Sequence, residues 1–154
     1  MKAYVLIGPP GSGKSFWRDS FLKDNPDYVV VSSDDYIDEY ASLHGKTYSE
    51  VFQEAISGAV AHCNAKFHSA LNNNQSMIID RTNMSIRSRA EFLNKLENYQ
   101  KIAMIFNVER TVLNTRLENR AKTTGKTIPE FVIDNMLKNY QEPSLQEFDF
   151  IHYM

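Results

Sequence analysis

The sequence is poor in cysteine, in long apolar runs and in net charge, and each of these absences excludes a class of protein. Its single cysteine, Cys63, excludes an internal disulfide and agrees with a reducing cytoplasm. No apolar run reaches the roughly 18 residues that a membrane span needs, so we expect no membrane partner. The net charge of −2 excludes a strongly basic protein, so a nucleic-acid partner would require a local basic patch.

Repeats, linkers and low-complexity tracts are also missing, and 154 residues suffice for a core, so we expect one domain over residues 1–154. A strand-like run begins within the first few residues, which leaves no room for a secretory signal. We therefore expect a cytoplasmic protein. No feature of the sequence predicts its oligomeric state.

What the sequence does contain is one glycine-rich motif that fits G-x-x-x-x-G-K-[ST], namely Gly8-Pro9-Pro10-Gly11-Ser12-Gly13-Lys14-Ser15. Glycines let the backbone approach an anion closely, so that successive N–H groups can hold a phosphate. Lys14 would add a positive charge near the β- and γ-phosphates, and the Ser15 hydroxyl can bind Mg2+. A strand-like run before the motif and a helical pattern after it favour a site for ATP and Mg2+ over a simple turn.

Strand-like runs alternate with helical patterns along the rest of the chain. The runs predict strands at 3–7, 28–32, 77–80, 102–106 and 148–153, and helices at 15–22, 34–43, 48–71, 85–98, 111–121 and 130–140. This alternation predicts a three-layer α/β fold, in which helices cover a parallel sheet of four to five strands. Ligands of such sheets bind at the carboxyl ends of the strands. The glycine-rich loop, the pair Asp34 and Asp35, and Asp80 are therefore expected to meet.

Carboxylates at two predicted strand ends have the chemistry that phosphoryl transfer needs. Asp80 closes an apolar strand, the expected setting of the acid that orients Mg2+ beside Ser15, although it could instead cap a helix. Asp34 closes another strand, and a carboxylate there can accept the proton of an attacking hydroxyl. Ser33 or Asp34 could also cap the helix that follows.

Two groups of arginines suggest contacts with phosphates. Arg116 and Arg120 are four residues apart on one helical face, which predicts an arginine-bearing lid over about residues 110–128, with a flexible polar loop at 122–126. A solvated basic helix face is the alternative. A second group could bind phosphates of the acceptor or simply be solvated, and consists of Arg81, Arg87 and Arg89.

These features together resemble the kinase domain of the polynucleotide 5′-kinase family, including its bacteriophage members, over nearly the whole chain. The matching segments are the glycine-rich motif with Phe16-Trp17, Ser33-Asp34-Asp35-Tyr36, Asp80-Arg81-Thr82-Asn83, Phe106-Asn107-Val108, Arg116-x-x-x-Arg120, Ile128-Pro129, Glu142-Pro143-Ser144-Leu145 and Phe148-Asp149-Phe150-Ile151. The ordered combination is much more specific than the glycine-rich motif alone.

The resemblance implies a P-loop kinase fold that transfers phosphate from ATP with Mg2+ to the 5′-OH of DNA or RNA. It implies that Asp34 is the general base and that Thr82 lies near an acceptor phosphate. The residues expected to serve the ATP phosphates and catalysis are Lys14, Ser15, Arg116 and Arg120. Those expected at the acceptor are Asp34, Asp35, Arg81, Thr82, Asn83 and Arg87.

One departure from the family bears on the acceptor. The bacteriophage kinase has an arginine three residues after the base, where this sequence has Ile37, and Arg81, Arg87 or Arg89 could take its place. Ile37 and the near-neutral charge favour a first alternative, a kinase of nucleosides, nucleotides or other small hydroxyl compounds. A second alternative is a nucleotide-binding switch without catalysis.

Overall fold

The computed structural model describes residues 1–154 and contains five strands and six helices. In chain order they are β1 (Lys2–Ile7), α1 (Lys14–Asp24), β2 (Val29–Val31), α2 (Asp34–Leu43), α3 (Tyr48–Asn72), β3 (Met77–Asp80), α4 (Ile86–Leu93), β4 (Gln100–Ile105), α5 (Arg110–Thr124), α6 (Glu130–Lys138) and β5 (Phe150–Tyr153).

All five strands belong to one parallel sheet in the order β2-β3-β1-β4-β5. Side chains alternate between the faces of a strand, and β1 shows the result. Ala3, Val5 and Ile7 pack into the larger core with α3 and α4, whereas Leu6 and Tyr4 pack with the aromatic side chains of α1 on the other face. The predicted three-layer α/β fold with a covered parallel sheet is therefore confirmed.

Helices α2 and α3 pack against each other through a small core of their own. The start of α3 is fixed by a capping box, which the sequence Thr47-Tyr48-Ser49-Glu50 predicts. Thr47 Oγ1 accepts from the Glu50 amide, and the Thr47 amide donates to Glu50 Oε2. Ile37 of α2 is fully buried in this core. The position at which the resembling family carries an arginine is thus a packing position in this chain.

Two helix ends differ by three residues or more from the sequence-based expectation. Helix α4 ends at Leu93, because the next residues form turns in which the Leu96 amide donates to the Leu93 carbonyl. Leu96 is buried, and its apolar spacing imitated one more helical turn. Helix α5 continues to Thr124 and ends at Gly125, so most of the polar loop expected at 122–126 is helical. No helix in the structure combines the length and the apolar character that crossing a bilayer requires.

Candidate active site

The glycine-rich loop lies between β1 and α1 and is packed on both sides. A Cβ atom on Gly8 would come within 2.8 Å of the Phe106 carbonyl oxygen, and one on Gly11 within 3.2 Å of Leu117 on α5. Gly11 and Gly13 have φ angles of 81° and 105°, which favour glycine. Helix α1 has no side-chain cap at its N-terminus. Its first N–H groups are therefore available to an anion, as in other phosphate-binding helices.

Lys14 folds back over this loop. Its Nζ atom donates to the carbonyl oxygens of Gly8 and Pro9, each at 2.8 Å. Burial lowers the pKa of Lys14 to about 8, although the carboxylates of Asp80 and Asp34 act in the opposite direction. The charges of Asp80, Asp34 and Arg120 therefore belong to the electrostatic surroundings of the loop lysine.

Asp34 lies at the start of α2, and its carboxylate points away from the helix backbone. The N-cap residue Ser33 makes no side-chain cap hydrogen bond, and the Asp35 amide instead donates to Ser32 Oγ at 3.3 Å. Asp34 Oδ1 accepts from the Tyr48 hydroxyl at 2.8 Å, and Asp34 Oδ2 accepts from Lys126 Nζ at 2.9 Å. Burial alone would raise the pKa of Asp34, but Lys126 and these hydrogen bonds lower it. The carboxylate is thus ionised at neutral pH, as a proton acceptor must be.

Asp80 ends β3 beside the glycine-rich loop and is joined to α1 by Arg18. Arg18 Nη1 lies 2.8 Å from Asp80 Oδ2 and 3.0 Å from both carboxylate oxygens of Asp35. Burial raises the pKa of Asp80, against the influence of Arg18 and Lys14. The same two aspartates raise the pKa of Arg18 despite its burial. Arg18 therefore ties together the ends of β2 and β3 at the point where the site opens.

The donors around Asp80 fit a magnesium ion. Mg2+ prefers oxygen ligands and usually keeps several waters, so one carboxylate and one hydroxyl suffice on the protein side. Asp80 Oδ2 is used by Arg18, whereas Asp80 Oδ1 accepts no hydrogen bond from the protein. Ser15 lies in the first turn of α1 with an exposed side chain. These two residues are the ones that could hold the ion.

The predicted lid, residues 110–128, lies over the glycine-rich loop. Arg116 Nη1 donates to the Gly11 carbonyl oxygen at 3.3 Å, so this guanidinium reaches the mouth of the loop. Arg120 is one helical turn further along α5 and influences the pKa of both Lys14 and Asp34. Arg116 is thus an exposed side chain that still contacts the loop, and Arg120 is half-buried on the same helix.

The turn after β3 is joined by hydrogen bonds to the glycine-rich loop and to β1. The Gly8 amide donates to the Thr82 carbonyl oxygen at 3.0 Å, and Asn83 Nδ2 donates to the Leu6 carbonyl oxygen at 2.8 Å. Asn83 is 2% exposed, with a φ angle of 50°. The expectation that the Asn83 side chain contacts an acceptor is therefore corrected, because this amide joins β1 to the turn and is closed to solvent.

The arginines of the second group do not converge beside Asp34. Arg81 pairs with Glu91 at 3.2 Å and covers the Phe92 ring of α4. Arg89 is fully buried and binds both carboxylate oxygens of Glu147, at 2.8 and 3.0 Å. Only Arg87 is exposed without a salt bridge. Arg89 is thus neither a solvated residue nor a replacement for an acceptor arginine, and Arg81 is directed towards α4.

Three residues of this site escaped the sequence analysis. Arg18 is four residues after Lys14, and this helical spacing was a usable signal for a shared face. Lys126 was assigned to a flexible loop, although it follows a glycine that ends α5 in the left-handed conformation. Tyr48 lies within the capping-box sequence, and no neighbouring residue of the sequence indicates a contact with Asp34.

Comparison with known proteins assigns the chain to a family. Residues 4–143 match the family described as AAA domain (AAA_33). The chain belongs to this AAA domain family. The match includes the glycine-rich loop, both aspartate-bearing strand ends and the predicted lid.

Several solved structures similar to this AAA domain are described as kinases of different kinds. A candidate kinase from Chloroflexus aurantiacus has 14% identity and a TM-score of 0.74, over 99% of this chain and 84% of that chain. A fungal RNA kinase has 16% identity and a TM-score of 0.63, over 99% and 73%. A shikimate kinase from Acinetobacter baumannii has 14% identity and a TM-score of 0.60, over 100% and 84%. At these identities the likeness shows the fold, which is that of the P-loop kinases.

Proposed function

We propose that this AAA domain transfers the γ-phosphoryl group of ATP to a hydroxyl, and that the acceptor is the 5′-OH of DNA or RNA. The observation that carries the proposal is a set of contacts around the glycine-rich loop. From the lid, Arg116 Nη1 donates to the Gly11 carbonyl oxygen and Lys126 Nζ donates to Asp34 Oδ2, and Arg18 of α1 joins Asp80 to Asp35. A proton acceptor, a metal ligand and a lid cation then share one phosphate-binding loop. The order of motifs along the chain, which resembles polynucleotide 5′-kinases, and the likeness to a fungal RNA kinase support the choice of acceptor.

In this mechanism Lys14 and the N–H groups of the loop hold the β- and γ-phosphates. Asp34 accepts the proton of the attacking hydroxyl, whose oxygen forms the new bond to phosphorus while the bond to ADP breaks. Arg116 and Arg120 close over the phosphates and neutralise charge that develops during the transfer. Mg2+, held by Ser15 and by Asp80 directly or through water, would neutralise the phosphate oxygens.

The direct test is transfer of labelled γ-phosphate to an oligonucleotide with a 5′-OH. We expect Asp34→Asn to reduce kcat by about 10²–10⁴-fold, because the general base is removed. Glu39→Gln is a matched control, since Glu39 is an exposed carboxylate on the same helix with no hydrogen-bond partner. Undiminished transfer by Asp34→Asn would overturn the assignment of Asp34 as the general base.

A second candidate is a kinase of small hydroxyl compounds, and a specific observation favours it. Ile37, three residues after Asp34, is buried. Arg18, the arginine that contacts Asp35 next to Asp34, is paired with Asp35 and Asp80. The acceptor side therefore offers few free cations for a phosphodiester backbone. Transfer to nucleosides or sugars that is insensitive to salt would support this candidate, because oligonucleotide binding weakens steeply with ionic strength. ATP binding without acceptor-stimulated turnover would instead indicate a switch.

A further inference from the structure

Lys126 is buried between the exposed carboxylate of Asp34, with which it forms an ion pair, and the ring of Tyr48. Its side chain is 3% exposed, and its Nζ atom lies 2.9 Å from Asp34 Oδ2 and 3.6 Å from the centroid of the Tyr48 ring. The Tyr48 hydroxyl reaches the other oxygen, Asp34 Oδ1, at 2.8 Å. Both oxygens of the proposed base are thus held in place, one by the lid and one by α3.

The backbone around Lys126 is seated on the start of α3. Gly125 has a φ angle of 69°, and a Cβ atom there would come within 2.5 Å of Thr47 Cγ2. The Thr127 amide donates to Ser49 Oγ at 2.9 Å. These contacts join the lid to α3, whereas the Lys126–Asp34 ion pair is the salt bridge that joins the lid to α2.

We propose that Lys126 is a positioning residue that fastens the lid to Asp34, so that the base and the lid arginines take up their working places together. This inference rests on the proposed kinase function. Each carboxylate oxygen that Lys126 and Tyr48 engage keeps a second lone pair, which can accept the proton of the attacking hydroxyl.

The charge of Lys126 also sets the pH range in which Asp34 can act. The charged and titratable groups that interact with Asp34 come from several elements: Lys126 and Arg120 from the lid, Tyr48 from α3, Asp38 from α2, Lys14 from α1, and Asp80 from β3. Lys126 is the largest favourable influence on the ionised form. Removing its charge must raise the pKa of Asp34, so the acidic limb of the kcat profile should move to higher pH.

The first experiment needs no substrate. Hydrogen–deuterium exchange of the lid amides at 124–128 is measured in the wild type, in Lys126→Met and in Asp34→Asn. We expect about tenfold faster exchange in both variants, as the loss of one charge-assisted hydrogen bond predicts. Lys122→Met is the matched control, because Lys122 is an exposed lysine of the same lid without a salt bridge. Unchanged lid exchange in both Lys126→Met and Asp34→Asn would overturn the inference.

The second experiment measures kcat against pH with ATP and a 5′-OH oligonucleotide, or with the small acceptor that proves active. Lys126→Met should lower kcat by about 10–100-fold and move the acidic limb upward, and Lys126→Arg should restore the limb. A Lys126→Met variant with the wild-type profile, while Asp34→Asn is inactive, would refute the role of Lys126 but leave the kinase assignment. Full activity of Asp34→Asn would refute Asp34 as the base, whereas absence of transfer by the wild type to any hydroxyl acceptor would refute the kinase assignment itself.

Discussion

Lys14 is the residue whose protonation should change when ATP binds. Its pKa is lowered to about 8 in the free protein, and phosphate oxygens beside the ammonium must raise it again. At a pH between the pKa of Lys14 in the free protein and its pKa in the ATP complex, binding of ATP is accompanied by uptake of a proton. We expect calorimetric titration with ATP at about pH 8.5 to show proton uptake in buffers of different ionisation enthalpy, and much less at about pH 7.

Lys14→Arg is the control for this experiment. A guanidinium stays protonated over the whole range, so the variant should bind ATP without proton uptake. Equal uptake in the two proteins would show that another group titrates.

Ile37 should not tolerate the arginine that the resembling family carries at this position. The side chain is fully buried between α2 and α3, where a guanidinium would find no partner. We expect Ile37→Arg to reduce the free energy of unfolding by at least ~3 kcal/mol in urea denaturation. Ile37→Val, which removes one methyl group, should cost only about 0.5–1.5 kcal/mol. A stable Ile37→Arg protein with improved oligonucleotide binding would contradict this account of the acceptor side.

At the scale of elements, Gly125 connects the end of α5 to Lys126, which contacts Asp34. Gly125→Ala should destabilise the protein by ~1–2 kcal/mol from its positive φ angle alone, and further through the contact with Thr47 Cγ2. Thr47→Ser removes that methyl group and keeps the hydroxyl of the capping box. In a double-mutant cycle followed by thermal unfolding, we expect Thr47→Ser to recover part of the loss. Strict additivity would indicate that the two residues do not touch.

Most elements were predictable because their signals are local. Apolar runs identified all five strands, and Thr47-x-x-Glu50 identified the start of α3. The end of α4 was not predictable, because buried Leu96 and Tyr99 continue the helical spacing through turns. The rule that ligands bind at the carboxyl ends of strands also brought Asp34 and Asp80 to the loop.

The pairs within the site were less accessible to sequence reasoning. Arg18 and Lys126 act through long side chains whose partners lie on other elements, and no local spacing encodes such a partner. Arg89 looked like a surface residue for the same reason, since burial of an arginine depends on a carboxylate more than fifty residues away, at Glu147.

At the scale of the molecule, the Arg89–Glu147 pair joins the segment after α6 to the centre of the fold. Arg89 also donates to the carbonyl oxygens of Asn83 and Gln141, at 3.1 and 2.9 Å. Arg89→Met leaves these two carbonyl oxygens without the guanidinium and leaves Glu147 with only the Ser144 amide as a donor, and should reduce the free energy of unfolding by about 3–5 kcal/mol. Arg81→Met removes an exposed pair and should cost about 0–1 kcal/mol. Equal losses in urea titrations of the two variants would refute the structural role of Arg89.

The strand order has a consequence for how the molecule reaches this shape. Strand β1 is central, and its neighbours are β3, where Ala3 meets Met77, and β4, where Lys2 meets Gln100. Large loops must close before β1 gains either neighbour, and such distant pairings slow folding. A polypeptide interrupted within α4 would thus contain the entire glycine-rich motif and still bind no nucleotide, because the curvature of that motif is imposed by residues that come much later.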